Sequence, residues 1–479
     1  MNRYLVATRS KRYLSSTILV GLLVALFVIY HSQNMSLHAQ TSRENEAGVA
    51  PFQDAEWPEI ASTESRLSPS SLTLNFPMIS DGSASGAMTN TLFIPVVSRQ
   101  VQLSTRLGYG DYHKGINYPD VDSLRAGWYL DWQVQVAPER PNNMKFVQVI
   151  RLHQKLACPL GSAYAWDRTV CPYEDDYVLV DTSTEQIIVA AAANPGSLWL
   201  IGNEMERRDF RVCFDWPVCS NVVTHGQDEI LPEKYAEAYY DLYQLIKGVD
   251  PKAQIAIGGV IQPTPLRLEY LSRIWNAYQL KYGVEMPVDV WNVHAFVLRE
   301  ERGGYGADIP AGLDATTGVY TESDCTHLSK DTFDQQMRAM RQWMKDRGQQ
   351  NKPLMVSEYS PLYRQIYTGN CDSSLDPADR QVVIDYMTWT FDYFLNTKDT
   401  DIGYPADDHR LVQMWNWFSL SHVTIDADGN VLEAPLNEWA SLFNRFDTSL
   451  TDTGRAFRQF SLSNMAALSQ IPSGISFQR

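Results

Sequence analysis

The chain has 479 residues, 44% hydrophobic and 20% charged, proportions of folded soluble proteins that set aside wholesale disorder and a polytopic membrane protein. Acidic residues outnumber basic ones, 56 against 40, and the formal charge of -16 repels a phosphate backbone, which leaves no basis for a nucleic-acid partner. The length admits about three domains of roughly 150 residues, or one closed α/β barrel with additions.

Met1 to Ser16 carries Arg3, Arg9, Lys11 and Arg12 with no acid, and the apolar run TILVGLLVALFVIY follows at 17–30. A basic leader before an apolar run is an export signal, and it places the rest of the chain outside the cytoplasm. Counted from Tyr13, the run approaches the roughly 20 residues of a membrane span. Residues 1–39 therefore read as a signal peptide or a signal anchor. The protein is expected to be secreted or anchored by residues 13–30, and to touch the membrane only there. Residues 40–102, with SPSSLT and SDGSASGAMTN, read as a Ser/Pro/Gly-rich spacer in which TLFIPVVS at 91–98 offers a docking strand.

From residue 103 the pattern changes to short apolar runs at 106–110, 127–132, 146–152, 198–204, 254–260, 288–296, 353–360 and 412–420. Between the later runs lie helical stretches at 184–193, 232–249, 265–282, 331–347 and 377–396, three of them opening on proline, which suits a first helical turn. Eight strands alternating with helices predict an α/β fold, a (β/α)8 TIM barrel over 103–470 followed by a tail at 471–479. A doubly wound open sheet would want a Gly-rich phosphate turn after an early strand, and none is present.

Six cysteines, at 158, 171, 213, 219, 325 and 371, form an even set in an exported chain, which favours disulfides. Fifteen complete pairings are open by counting alone. The barrel assignment puts all six in loops at the C-terminal rim, and pairing between neighbours is the expectation. No CxxC, HExxH or EF-hand loop is present, so neither a metal nor any other cofactor is expected. No GxSxG elbow follows a strand either.

Barrel active sites sit at the C-terminal ends of the strands. There the fourth run ends in Asn203-Glu204 (LWLIGNE) and the seventh contains Glu358 (PLMVSEY). An acid at the end of a buried apolar strand is costly unless it is used or paired. Two carboxyls facing one bowl can flank a glycosidic bond, one protonating the leaving oxygen and one attacking the anomeric carbon. Read alone, an Asn-Glu is equally a helix-start or surface acid. His294 closes the sixth run, as a site ring or a core histidine. Arg151 closes the third, where it can hold a carboxylate ionised or form a buried pair. Trp415 and Trp417 share a face of the eighth, as a sugar platform or as core. Tyr305, Tyr359 and Tyr363 stand in long loops that would wall a cleft.

These residues resemble the clan-A glycoside hydrolases over Arg106 to Leu420, and WLIGNE and VSEY look most like the alkali-sensitive-linkage-type family, number 128, which acts on β-1,3-glucans. The resemblance implies Glu204 as acid/base, Glu358 as retaining nucleophile and Asn203 as the group that binds the sugar 2-hydroxyl. The retaining outcome it implies calls for carboxyl groups about 5 to 5.5 Å apart. The chain departs from the usual pattern in two places: Met205 replaces the proline after Asn-Glu, and Tyr359-Ser360 replaces aromatic-Gly. The expected partner is a polysaccharide or oligosaccharide substrate, and nothing in the sequence sets an oligomeric state. The alternative function is a non-catalytic carbohydrate-binding barrel at the cell surface; a barrel used only as scaffold is a weaker third.

Overall fold

The structure is a computed structural model that describes residues 102–111, 118–213, 222–304, 306–319, 327–362, 380–421, 438–470 and 474–475, with the backbone alone at 212–213, 222–225 and 438. The leader, the span at 13–30, the spacer and the 91–98 strand lie outside these residues. Among the described residues no helix is long and apolar enough to cross a membrane.

Among the described residues there are twelve strands, and a subset of them forms the staves of one parallel ring. β1 (Leu107–Gly110) pairs with β2 (Trp128–Leu130), which pairs with β3 (Lys145–Phe146). β3 runs on into β4 (Gln148–Leu156), the two forming one broken stave. β4 pairs with β6 (Leu198–Asn203), and β6 with β9 (Gln254–Gly259). Bridges Ala256↔Val290 and Val260↔Val293 join β9 to β10 (Trp291–His294). β10 then pairs with β11 (Leu354–Glu358), β11 with β12 (Met414–Phe418), and β12 with β1. The result is an α/β fold in which every expected run supplies a stave.

Helices α1 (Thr184–Ala193), α2 (Pro232–Val249), α3 (Pro265–Tyr282), α4 (Lys330–Asp346) and α5 (Gln381–Asn396) connect the later staves, and α6 (Asp452–Ser463) follows the last, with the single turn α7 (Met465–Leu468) behind it. Their ends follow local chemistry. Ser183, Ser329 and Thr451 each accept a backbone N–H of the first turn, while Pro232 and Pro265 open α2 and α3, where no N–H is needed. Gly283 ends α3 at φ 71°, a backbone region open to glycine. Among the described residues of the first two connections there are short 3-10 turns, Val121–Leu124 and Pro141–Asn143.

Alternation along each stave divides the core into two layers. Trp128, Val149, Leu200, Ala256, Met355 and Met414 cluster inside the ring. Trp199, Ile201, Ile255, Trp291, Trp415 and Trp417 belong to the larger cluster that includes the helix residues Tyr235, Ile274 and Phe391. Two excursions leave the ring at its C-terminal rim. β4 extends past its last pairing with β6, Ile150↔Ile201, into an antiparallel arm with β5 (Tyr173–Val180). The arm is closed by a disulfide between Cys158 and Cys171, as neighbour pairing anticipates. β7 (Phe210–Cys213) and β8 (Val222–His225) form a second hairpin after β6. The side chains of the cysteines at 213, 219, 325 and 371 lie outside the described set.

Candidate active site

β6 delivers Glu204 through a distorted strand end. Gly202 has φ 91° and Glu204 itself φ 49°, an uncommon conformation for a glutamate, and the Glu204 N–H donates to the Gly259 carbonyl at 2.8 Å. The turn buries Glu204 to 5% exposure. His294 ends β10, fully buried, and Gly259 makes room for it: a Cβ there would stand 2.5 Å from the ring. Glu358 ends β11, half-buried.

These three side chains meet. His294 Nδ1 lies 3.0 Å from Glu204 Oε1, and His294 Nε2 lies 3.9 Å from Glu358 Oε2. One oxygen of each carboxylate and a ring nitrogen all lie within 4.8 Å of one another. Carboxyls whose oxygens come this near fit the closer spacing of a retaining pair better than the wider one, about 6.5 to 9.5 Å, of an inverting pair.

The other Glu204 oxygen accepts from Arg207 Nη1 at 2.9 Å, and Arg207 Nη2 donates to the Gly306 carbonyl at 3.0 Å. Burial pushes the Glu204 carboxyl up, but the Arg207 cation and the His294 ring outweigh it and hold the group well below the usual carboxylate range. Glu358 goes the other way. Burial and the Glu204 charge push it up to about 7, against His294, Trp132 and Arg151, which favour its ionised form. Burial lowers the His294 ring, yet Glu358 and Glu204 raise it on balance. The two carboxyls are thus pushed in opposite directions, Glu204 toward its ionised form and Glu358 toward its protonated one.

Arg151 stands one residue past the last β4–β6 pairing and donates from Nε to Asp228 at 2.5 Å. Arg151 forms the buried pair with Asp228, and the charges of Glu204 and Glu358 act on its guanidinium as well. Asp228 also accepts the Leu152 and Asn203 N–H groups, tying staves three and four together beneath the site. Asn203 sits beside Glu204 at the rim with its side chain half-buried.

Trp415 and Trp417 do not reach the site. Both are fully buried; Trp415 packs on Phe391 and Phe394, and Trp417 packs on Tyr359 and donates to the Ala440 carbonyl at 2.7 Å. They point outward toward α5, because the alternation of β12 turns Met414 inward instead. Tyr359 is likewise a core residue, fully buried with its hydroxyl 3.0 Å from that of Thr390. Tyr305 and Tyr363 lie outside the described residues.

The indole at the site comes from stave two. Trp132, two residues past β2 and at φ 56°, donates from Nε1 to Glu358 Oε2 at 3.0 Å and meets Phe418 edge-on at 5.5 Å. Its ring lies over Gly110, where a Cβ would come within 2.6 Å. The sequence carries a signal for it, since GWYLDW places an aromatic at a barrel rim. Arg207 and Asp228, which also act here, stand on turns with no comparable mark.

Two groups of described residues have the donor types to hold a metal: Glu204 with His294 and Glu358, and His153 with Asp209 and Glu229. Each already contains an arginine cation. Arg207 occupies the first, and Arg168 the second, donating to Asp209 at 2.8 Å and pairing with Glu229. The second group anchors the disulfide arm, with Tyr173 of β5 also donating to Glu229.

No protein-family profile matches the sequence, and no curated protein matches it. The structure is similar to solved glycoside hydrolases. One is a family 128 subgroup II endo-β-1,3-glucanase from Pseudomonas viridiflava, with 14% identity, 74% of this chain and 97% of that one covered, and a TM-score of 0.42. A second is a family 128 subgroup I endo-β-1,3-glucanase from Amycolatopsis mediterranei in complex with laminaritriose, with 14% identity, coverage of 74% and 99%, and a TM-score of 0.41. A third is a family 5 enzyme from Streptomyces cattleya in complex with GlcNAc, with 12% identity, coverage of 78% and 83%, and a TM-score of 0.41.

Proposed function

We propose that the protein is a glycoside hydrolase built on a (β/α)8 barrel, cleaving a β-linked polysaccharide by a retaining double displacement. The observation that carries this is the close approach of Glu204 and Glu358, from the fourth and seventh staves, with His294 between them. Glu204 protonates the leaving oxygen while Glu358 attacks the anomeric carbon; Glu204 then takes a proton from the water that releases the sugar. Arg151 and the Trp132 N–H favour the ionised nucleophile, and Asn203 binds the sugar 2-hydroxyl. The likeness of WLIGNE and VSEY to family 128 makes a β-1,3-glucan the first substrate to test. No step in this chemistry calls for a metal or other cofactor.

The test is reducing-end release from β-1,3-, β-1,4- and mixed-linked glucans, xylan, mannan and galactan, with Glu204→Gln and Glu358→Gln beside the parent. Turnover on one polymer, falling by several orders of magnitude in each variant, is expected. Parent-like rates in either variant would sink the assignment. A second reading, a non-catalytic glycan-binding protein, has one observation in its favour: both oxygens of Glu204 are engaged by protein groups. Glycan binding by the parent with no turnover on any polymer would establish it.

The basic leader and apolar run support export, with residues 1–39 as leader or anchor and 40–102 as a spacer ahead of the barrel. N-terminal sequencing of the protein recovered from its host, together with membrane fractionation, tests this. Recovery of the whole chain in the cytosol would contradict it.

A further inference from the structure

To act as an acid, Glu204 has to present a protonated oxygen to the glycosidic bond. Oε1 lies 3.0 Å from His294 Nδ1 and Oε2 accepts from Arg207 Nη1 at 2.9 Å, so each oxygen keeps a lone pair while both are held by protein groups. Oε2 carries a proton more readily once the cation beside it is drawn away. His294 is packed in with a side chain only 1% exposed, whereas the Arg207 side chain is 19% exposed and stands on the turn that leaves the rim. Arg207 is therefore the partner that a glycan can reach.

We propose that Arg207 is a positioning residue on the leaving-group side of this site: a bound glycan takes the guanidinium onto its own hydroxyls and so frees Glu204 to act as the acid. The proposal rests on the glycosidase reading above. A guanidinium presents several donors in a fixed fork, so it can exchange a carboxylate for a pair of sugar hydroxyls without losing its hydrogen bonds. Its second nitrogen already holds the Gly306 carbonyl, which fixes it to the loop after β10 that walls the site. That wall is itself anchored: fully buried Arg267 pairs with Glu206 beside the acid and with Glu300 in the loop.

The charged groups around Glu204 are Arg207 on its own turn, Glu206, His294 from β10, Glu358 from β11 and Arg151 from β4. With Arg207 in place, they hold Glu204 toward its ionised form and Glu358 toward its protonated one. When Arg207 moves away, the strongest local reason for Glu204 to stay ionised goes with it, and that proton moves to Glu204. Glu358 is left as a carboxylate. As the anomeric carbon–oxygen bond breaks, the Glu204 proton passes to the leaving oxygen, and a Glu358 oxygen forms the new bond to that carbon. No proton or electron is drawn from elsewhere.

The experiment compares the full chain with Arg207→Met and Arg207→Lys, on laminarin and on a 2,4-dinitrophenyl β-glucoside, whose leaving group needs no acid. Removing a cation beside a carboxylate raises its pKa by about one unit or more, so the acid limb of the kcat/KM profile of Arg207→Met should move up by that amount. Arg207→Lys should leave it near the parent. On laminarin, Arg207→Met should lose about tenfold or more, the loss expected for a hydrogen bond to a charged group, while the dinitrophenyl substrate changes far less. Arg207→Gln carries the same expectation should the Met variant fail to fold. Superimposable profiles, or equal losses on both substrates with an unmoved limb, would overturn the proposal while leaving the glycosidase standing. A parent inactive on every substrate would remove both.

Discussion

Trp132 reaches Glu358 from stave two and donates its indole N–H to that carboxylate at 3.0 Å. Trp132→Phe keeps the ring packed on Phe418 and over Gly110 but removes the N–H. The bond favours the ionised carboxylate, so its loss should lower kcat/KM by about tenfold and shift the alkaline limb of the profile upward. An unchanged profile would show that the indole only fills space. The two carboxyls also make opposite predictions for stability. Glu358 has a raised folded pKa, so its contribution is present below the ordinary carboxyl value and is lost as pH rises through about 7. Glu358→Gln should therefore raise the unfolding temperature at pH 8 and matter little at pH 4. Glu204 has a depressed one, so its contribution is present above the ordinary value and is lost only on strong acidification. Glu204→Gln should lower the unfolding temperature at neutral pH. Calorimetry of both variants across pH checks the pair, and shifts of the same sign at pH 8 would contradict the charge distribution.

At this scale the sequence was a partial guide. Glu204, Glu358 and His294 were legible because each is a polar group closing an apolar run, and the structure brings all three together. The aromatic platform was placed on the wrong residues for a reason of parity: a strand has two faces, and size alone does not say which one Trp415 and Trp417 occupy. The outer layer, with helix α5 to fill, took the large rings. Arg207 and Asp228 were unreadable because their roles depend on turns that bring distant chain segments to the rim.

Among the elements, the helices were the most legible. Thr184–Ala193, Pro232–Val249 and Pro265–Tyr282 fall where proline, capping residues and apolar spacing put them. The rim excursions were not, because their strands carry polar residues that end an apolar run: Arg151, His153, Gln154 and Lys155 in β4, and Glu174, Asp175 and Asp176 in β5. The β4–β5 arm is held by Cys158–Cys171 with Cα atoms 5.4 Å apart and by Arg168 between Asp209 and Glu229. Closing a loop of this size stabilises by about 3 kcal/mol in the chain-entropy account. The double variant Cys158→Ser, Cys171→Ser should lower stability by an amount of that order in denaturant titration. No change would mean that the buried ion pairs alone hold the arm.

For the whole molecule, a ring of parallel strands brings Glu204, His294 and Glu358 to the C-terminal ends of three staves, and the proposed chemistry follows from how closely two of them approach. The proposed double displacement rests on Glu204 and Glu358 bringing one oxygen each within 4.8 Å. The stereochemistry of the product therefore tests the central claim most directly. Proton NMR of laminarin hydrolysis, recorded before mutarotation, should show the β-anomer of the new reducing end forming first. First appearance of the α-anomer would mean inversion and would contradict the double displacement between these two residues.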